Sequence, residues 1–563
     1  MTKNAIIKTI SLLITLALNC NISFGQTYAQ NGIVVSDNTV ASQVGIDILK
    51  KGGNAIDASI ATAFALAVTH PQAGNIGGGG FLVYMDSVGT STTIDFREKA
   101  PLLASSNMFL DDRGILIKGS NHNGLKSVGV PGTVAGLYLA HKKYGVLPWK
   151  ELVQPSIDLA ENGVVLSWIL AQHAKKINSG TSSEFLKNYY RNSNGELTKH
   201  GEVWVQKELA NTLKLIRDNG KDGFYKGVVA EEIAAFMKAN GGIITLEDLS
   251  KYEAIERKAI KGTYKEYEVF SMPPPSSGGV AIIEMLNIME RANLDSIKFN
   301  SKEYVHLIAE TMRRAFADRA EHLGDPDFNL DMPLEKLTSK DFAEMRYNNI
   351  DFNKASLSDS LKFGQLYDGK NTTHLSIIDK HGNAVSLTYT LEQSYGSGLG
   401  SPKLGFIFNN EMGDFNPKPG YTNNGWLIGT KPNIIQPEKR MLSSMSPTII
   451  TKNGKPYLII GSPGGRTIIN TVFQTILCVI EYDMPIEKAI EVMKIHHQWM
   501  PDKLIYENDL MSPDTHKALE EMGHVLIGRK NLGRLMGILC PSEQDIYIGA
   551  SDSSSPDGGA IGY

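Results

Sequence analysis

The chain has 563 residues, of which 42% are apolar and 21% charged, and its net charge is −4. This is the composition of a soluble globular protein with a large core, arranged in one to three domains. The slight negative charge excludes the basic surface that nucleic acid or an anionic membrane would demand.

Residues 1–25 read as a cleavable secretory signal. Lys3 and Lys8 form a positive start, 10–18 is a short apolar run, and Ser23 and Gly25 are small residues at −3 and −1 of a cut before Gln26. That run is too short to span a membrane, and no later stretch approaches the ~20 apolar residues a span needs. Cys20 raises the question of a lipid anchor, but Asn19 before it argues against one. Export to the periplasm or medium is the expectation. Cys478 lies in an apolar helical run and is expected to be a buried free thiol. Neither it nor Cys540 has zinc-site spacing.

A short strand is expected at 32–36 and a helix at about 41–51, ended by Gly52-Gly53. Asp57 is the expected N-cap of a very apolar helix reaching Val68. Gly74 to Gly80 precedes a strand rather than a helix, the wrong order for a phosphate-binding loop. Close backbone packing is the better account. Arg97 follows a strand and a turn in D-F-R-E, where any surface arginine could stand. Residues 131–345 read as mostly helical, with helices at 132–144, 150–162, 205–218, 226–239, 278–292 and 301–322. Their HxxxE and DxD-like spacings read as solvated faces, and His496-His497 as structural.

Asn371-Thr372-Thr373-His374 follows a polar, loop-like stretch at 354–370. Residues 364–370 nearly match a phosphate loop, but Asn371 stands where Ser or Thr is required and a strand follows. Residues 373–378 read as a strand and 379–383 as a turn. Residues 384–390 alternate strictly, with Val385, Leu387 and Tyr389 on one face. A turn centred on His381 places Thr390 opposite Thr372. A threonine at a strand start, after a loop, suits a self-cleaving N-terminal nucleophile. Cleavage before Thr372 would give it an α-amine, with a reference pKa of about 8, to act as its own base. The same stretch also fits an ordinary Thr-rich strand.

Glu392 directly follows that strand. Glu411 and Asp414 follow an expected apolar strand at 405–408. Three carboxylates raise the possibility of a metal, but no histidine or cysteine accompanies them at ligand spacing. Residues 419–439 form a polar insert containing Trp426. Ser443 and Ser444 precede a strand at 447–451. Gly464-Gly465 follow a strand at 457–461 and open a helix at about 466–480. Their N–H groups could form an oxyanion hole, or the pair could be a plain turn.

Residues 371–390 resemble the subunit junction of the gamma-glutamyltranspeptidases. Nine further stretches resemble the same family in order: G-G-N-A-I-D-A (52–58), H-P-Q-A-G-N-I-G-G-G-G-F (70–81), D-F-R-E-K-A-P (95–101), P-G-T-V-A-G-L (131–137), P-P-P-S-S-G-G-V (273–280), L-G-D-P-D-F (323–328), N-N-E-M-G-D-F (409–415), L-S-S-M-S-P-T (442–448) and G-S-P-G-G-R (461–466). Each is modest alone, but together they span nearly the whole chain after the first thirty residues.

The resemblance implies an α+β fold, the four-layered αββα sandwich of N-terminal nucleophile hydrolases. It implies self-cleavage between Asn371 and Thr372 into a large subunit (26–371) and a small catalytic one (372–563), intertwined in one domain. Thr372 would be the nucleophile, oriented by Thr390, with Gly464 and Gly465 as the oxyanion hole. Arg97, Ser443 and Ser444 would hold a donor's α-carboxylate, and Glu392, Glu411 and Asp414 its α-ammonium group. The insert would be a lid. Glutathione and other γ-glutamyl compounds would be donors, and water, amino acids or dipeptides acceptors, with no cofactor and no metal. Carboxylates stand at Glu392 and Glu411 where an amide is common, and Ser553-Ser554 where the family often has Pro-Arg. Beta-lactam acylases and a poly-γ-glutamate depolymerase share the nucleophile, so the alternative keeps the fold and changes the substrate. A non-enzymatic binding module would never cut itself.

Overall fold

The computed structural model describes residues 26–358, 372–421, 429–508, 510–542 and 544–563. The expected signal segment, Asn371, the 364–370 stretch and Trp426 lie outside the described residues.

Among the described residues, fourteen strands form two seven-stranded antiparallel sheets. Before the 371–372 bond come β1 (Gln26–Ala29), β2 (Gly32–Ser36), β3 (Gly79–Met85), β4 (Ser91–Phe96), β5 (Ile255–Arg257), β6 (Ile260–Tyr264) and β7 (Tyr267–Ser271). After it come β8 (Thr372–Asp379), β9 (Ala384–Thr390), β10 (Thr448–Lys452), β11 (Lys455–Gly461), β12 (Met536–Leu539), β13 (Tyr547–Ser551) and β14 (Gly559–Gly562). One sheet runs β1-β13-β12-β11-β10-β7-β6, the other β14-β2-β8-β9-β3-β4-β5. The β8–β9 hairpin thus sits between β2 and β3. A cut before Thr372 would leave each piece hydrogen-bonded to the other in both sheets.

Helices cover the outer faces. On the hairpin side lie α1 (Thr39–Lys50), α2 (Ala55–Thr69), α3 (Thr133–Tyr144), α4 (Trp149–Asn162) and α5 (Lys207–Asn219). On the other side lie α6 (Gly278–Met289), α7 (Lys302–His322) and α8 (Thr467–Glu481). Every residue of α2 is buried, as expected of a helix apolar all round its circumference. This is the αββα sandwich expected from the sequence.

The hairpin has the expected register, with Thr372 opposite Thr390 and Ile377 opposite Val385. Both of its faces are buried, although strict alternation usually marks a half-solvated strand. Leu375, Ile377, Val385, Leu387 and Tyr389 pack toward the helices. The polar face meets the second sheet and is satisfied there: Ser376 Oγ donates to Met536 O at 3.2 Å and Ser386 Oγ to Ile460 O at 3.1 Å.

Several local expectations are corrected. The N-cap of α2 is Asn54. Its side chain accepts from the Asp57 N–H, and Asp57 answers from the third helical position in a reciprocal capping box. The helix expected at 278–292 stops at Met289. The 131–345 region also contains β5, β6 and β7, which the helical reading missed. Residues 405–408 make no ladder, because Phe408 N–H bonds Leu399 O and Asn409 N–H bonds Gly77 O. The HxxxE pair, His306 and Glu310, is buried on α7 rather than solvated. His524 joins the pair, with ligand atoms within 4.8 Å of one another. However, His306 is already bonded to His524 and to Asp351 O, and Glu310 to Arg313 and Arg314. In the DxD pair, Asp325 is buried and accepts the Arg440 N–H, while Asp327 pairs with Arg257.

Candidate active site

The hairpin brings Thr372 into the lining of a small cleft. Thr390, Arg97, Glu392, Glu411, Asp414, Ser443, Ser444 and Gly465 line the same cleft. Of the expected site residues, Gly464 is adjacent to the lining and Asn371 lies outside the described chain.

Thr372 Oγ1 donates to Thr390 Oγ1 at 3.3 Å, and Thr390 Oγ1 also accepts the Glu392 N–H at 2.9 Å. Both threonines are buried. Glycines make this approach possible: a Cβ on Gly78 would fall 1.9 Å from Thr390 O, and one on Gly77 would fall 2.1 Å from Ile407 O. The glycine-rich stretch therefore packs backbone against the site, as its order before a strand indicates. His374 is no base for Thr372. Its ring nitrogens bond Thr388 Oγ1 at 2.8 Å and Ser376 Oγ at 3.0 Å, and burial lowers its pKa to about 3.

Arg97, at the end of β4, is fully buried among carboxylates. Its Nη2 pairs with Asp414 and its Nη1 lies 2.6 Å from Glu411 Oε2 and 3.4 Å from Glu98 Oε2. The close approach to Glu411 lacks hydrogen-bond alignment, so both Glu411 oxygens remain without a hydrogen bond. Burial alone would lower the guanidinium's pKa, but Glu411, Asp414 and Glu98 outweigh it and the net shift is upward. Burial pushes Glu98 up to about 8 and Glu411 well above the carboxylate range, in each case against the pull of Arg97. The groups assigned to opposite ends of a donor thus contact each other.

Glu392 has φ +77°, a left-handed conformation that strains a non-glycine residue. Its carboxylate meets His122 Nδ1 at 3.3 Å. Burial raises its pKa, and His122 partly offsets the rise. His122 is a contact the sequence reading missed; its partner lies 270 residues away. Missed too were Arg466, in the cleft lining, and Arg319, whose Nη2 donates to Ser444 Oγ at 3.0 Å.

Gly464 and Gly465 have φ +139° and +63°, open to glycine, and precede α8. Among the described residues neither N–H has a hydrogen-bond partner. The Ser553-Ser554 departure lies outside the cleft lining, with Ser553 bonded to Glu491 through N–H at 2.7 Å and Oγ at 2.8 Å.

Two stacked antiparallel sheets between helical layers, with a threonine opening a central strand at a cleft, define the N-terminal nucleophile hydrolase class. The family model described as Gamma-glutamyltranspeptidase matches residues 41–563. The chain belongs to the gamma-glutamyltranspeptidase family and is an enzyme of it. It is 45% identical over 547 residues to the glutathione hydrolase proenzyme of Escherichia coli K12, covering 96% of this chain and 93% of that one. It is 39% identical over 552 residues to that of Bacillus subtilis 168, covering 95% and 92%. The crystal structure of Helicobacter pylori gamma-glutamyltranspeptidase superposes with a TM-score of 0.55 at 44% identity, over 56% of this chain and 91% of that one. Cephalosporin acylase from Bacillus halodurans superposes with a TM-score of 0.83 at 26% identity, over 96% and 97%. No helix of the described residues is long and apolar enough to cross a membrane.

Proposed function

We propose that the chain is exported, cuts itself between Asn371 and Thr372, and works as two intertwined subunits, 26–371 and 372–563. The observation that carries this reading is the placement of the Thr372 hydroxyl at the start of a central strand, in a cleft shared with Arg97, Glu411, Asp414, Ser443 and Ser444. In maturation, Thr372 Oγ attacks the Asn371 carbonyl carbon, the C–N bond breaks to free the Thr372 amine and leave an Asn371 ester on Oγ, and water then hydrolyses that ester to the Asn371 carboxylate and the Thr372 hydroxyl.

The freed amine takes the hydroxyl proton while Oγ attacks the γ-amide carbonyl of glutathione or a related donor. Gly464 and Gly465 N–H groups hold the oxyanion. Collapse breaks the C–N bond, the proton passes to the leaving amine, and cysteinylglycine departs from glutathione. A γ-glutamyl ester remains on Thr372. Water converts it to glutamate, or an amino acid or dipeptide amine converts it to a transfer product. Thr390 orients Thr372; its own hydroxyl is too weakly basic to replace the amine. The donor's ammonium group enters between Glu392, Glu411 and Asp414, and its carboxylate meets Arg97, Ser443 and Ser444. Charges built for both ends of an amino acid favour this donor over an acyl group lacking them.

Thr372→Ala should leave one uncut, inactive chain on a denaturing gel. Wild-type enzyme should turn over glutathione far faster than its des-amino analogue. An uncut but active Thr372→Ala protein, or equal turnover of the two donors, would overturn the reading.

A further inference from the structure

Arg319 of α7 is 3% exposed and lies behind the two cleft serines. Its Nε donates to Ser277 Oγ at 2.7 Å and its Nη2 to Ser444 Oγ at 3.0 Å. Ser277 in turn donates to Ser443 O, through Oγ at 2.6 Å and N–H at 2.9 Å. One guanidinium therefore braces both serines, directly at Ser444 and through Ser277 at Ser443. Its Cζ lies over the ring of Phe316, one turn back, 5.9 Å from the ring centroid. Among the described residues no carboxylate comes within ion-pair distance of it.

A buried cation held only by hydroxyls is an expensive arrangement, because desolvation is not repaid by an opposite charge. Arg97 is the opposite case, crowded by Glu98, Glu411 and Asp414. The Arg97 guanidinium is thus already engaged by neighbouring carboxyl groups, so on its own it is a poor counter-charge for an incoming carboxylate. Arg319 supplies the uncompensated positive charge on the serine side. It also fixes the polarity of Ser444. Because Ser444 Oγ accepts from the guanidinium, its own proton must point elsewhere, and Ser444 lines the cleft.

We propose that Arg319 is a positioning residue for the donor's α-carboxylate, orienting Ser444 as a hydrogen-bond donor and offsetting the carboxylate's charge through it. This rests on the reading that Ser443 and Ser444 hold that carboxylate. Burial lowers the Arg319 pKa to about 10, with Asp414 opposing, so the group stays charged at neutral pH.

The test compares γ-glutamyl p-nitroanilide with its α-carboxamide, which keeps the amine and anilide and loses the negative charge. Arg319→Gln should raise KM for the carboxylate substrate by about tenfold or more, the scale of losing one partner of a buried charge contact. Its kcat should change far less, and kcat/KM for the carboxamide should stay near wild type. Arg319→Lys, which keeps the charge, should recover part of the loss. A correct small-subunit mass reports folding and self-cleavage. If Arg319→Gln does not mature, Ser277→Ala, which removes the Nε acceptor, should show the same selective rise in smaller degree. Equal losses on both substrates, or none on either, overturn the proposal. If wild-type enzyme itself fails to discriminate the substrates, the carboxylate assignment of the serines fails instead.

Discussion

Two clusters of buried charge use the same residue types to opposite ends. On α7, Glu310 is fully engaged: Oε1 accepts from Arg313 Nε at 3.2 Å and from the Ser356 N–H at 3.1 Å, and Oε2 accepts from Arg314 Nη1 at 2.6 Å. Burial would raise its pKa, but Arg313, Ser356 and Arg314 outweigh it and hold it at about 2. In the cleft lining, Glu392 keeps one oxygen without a hydrogen bond and Glu411 keeps both, and Glu98, buried beside Arg97, keeps one. The pKa of each of these three carboxylates is pushed up. Complete satisfaction ties a helix to the segment at 356–358. Incomplete satisfaction stores polar capacity for a ligand bearing a positive charge.

The comparison breaks most visibly in catalysis. Arg97→Ala or Asp414→Ala should lower kcat/KM for glutathione by about a hundredfold or more, since each removes a charged group that pairs with the donor. Self-cleavage should survive, because no donor takes part. Glu310→Ala should do the reverse. It should cost about 3–5 kcal/mol in thermal or denaturant unfolding and leave KM for the donor near wild type in the folded fraction. A stability loss at Arg97 with unchanged kinetics would erase the distinction.

Acid and base should separate the clusters further. Glu310 contributes stability that is complete above its ordinary value of 4.5 and is lost as pH falls toward about 2. Glu98, raised to about 8, behaves oppositely: its contribution is present below 4.5 and is lost as pH rises toward 8. The melting-temperature gap between Glu98→Gln and wild type should therefore widen in the variant's favour from pH 4.5 to 8. A gap between wild type and Glu310→Gln should close on acidification. The smallest effect belongs to Thr390. Thr390→Ala removes an orienting hydroxyl and should slow turnover and maturation without abolishing either, as timed gels and steady-state rates would show.

Much of the fold was legible because the hairpin combines strict alternation with turn chemistry at 379–383. The register that sets Thr372 against Thr390 follows from those two facts. Alternation could not reveal that the polar face meets a second sheet, since Ser376 and Ser386 find their carbonyl partners far along the chain. The strands β5 to β7 escaped notice because they are short and laced with Lys and Glu near the sheet edges. The apolar 405–408 stretch looked like a strand, yet its bonds go to loops. Arg319 and His122 were invisible for a related reason. Each is one polar residue whose meaning rests on partners 125 and 270 residues away. The nine family-like stretches, by contrast, brought together the cleft residues that local pattern alone left ambiguous.

The central claim is that Thr372, freed at its amine, is the atom that carries the γ-glutamyl group. Intact-mass and peptide mass spectrometry after incubation with an electrophilic glutamine analogue addresses it directly. The account predicts a small subunit beginning at Thr372, with a single adduct on that residue and none in Thr372→Ala protein. An unprocessed chain that still labels, or an adduct on any other side chain, would contradict it.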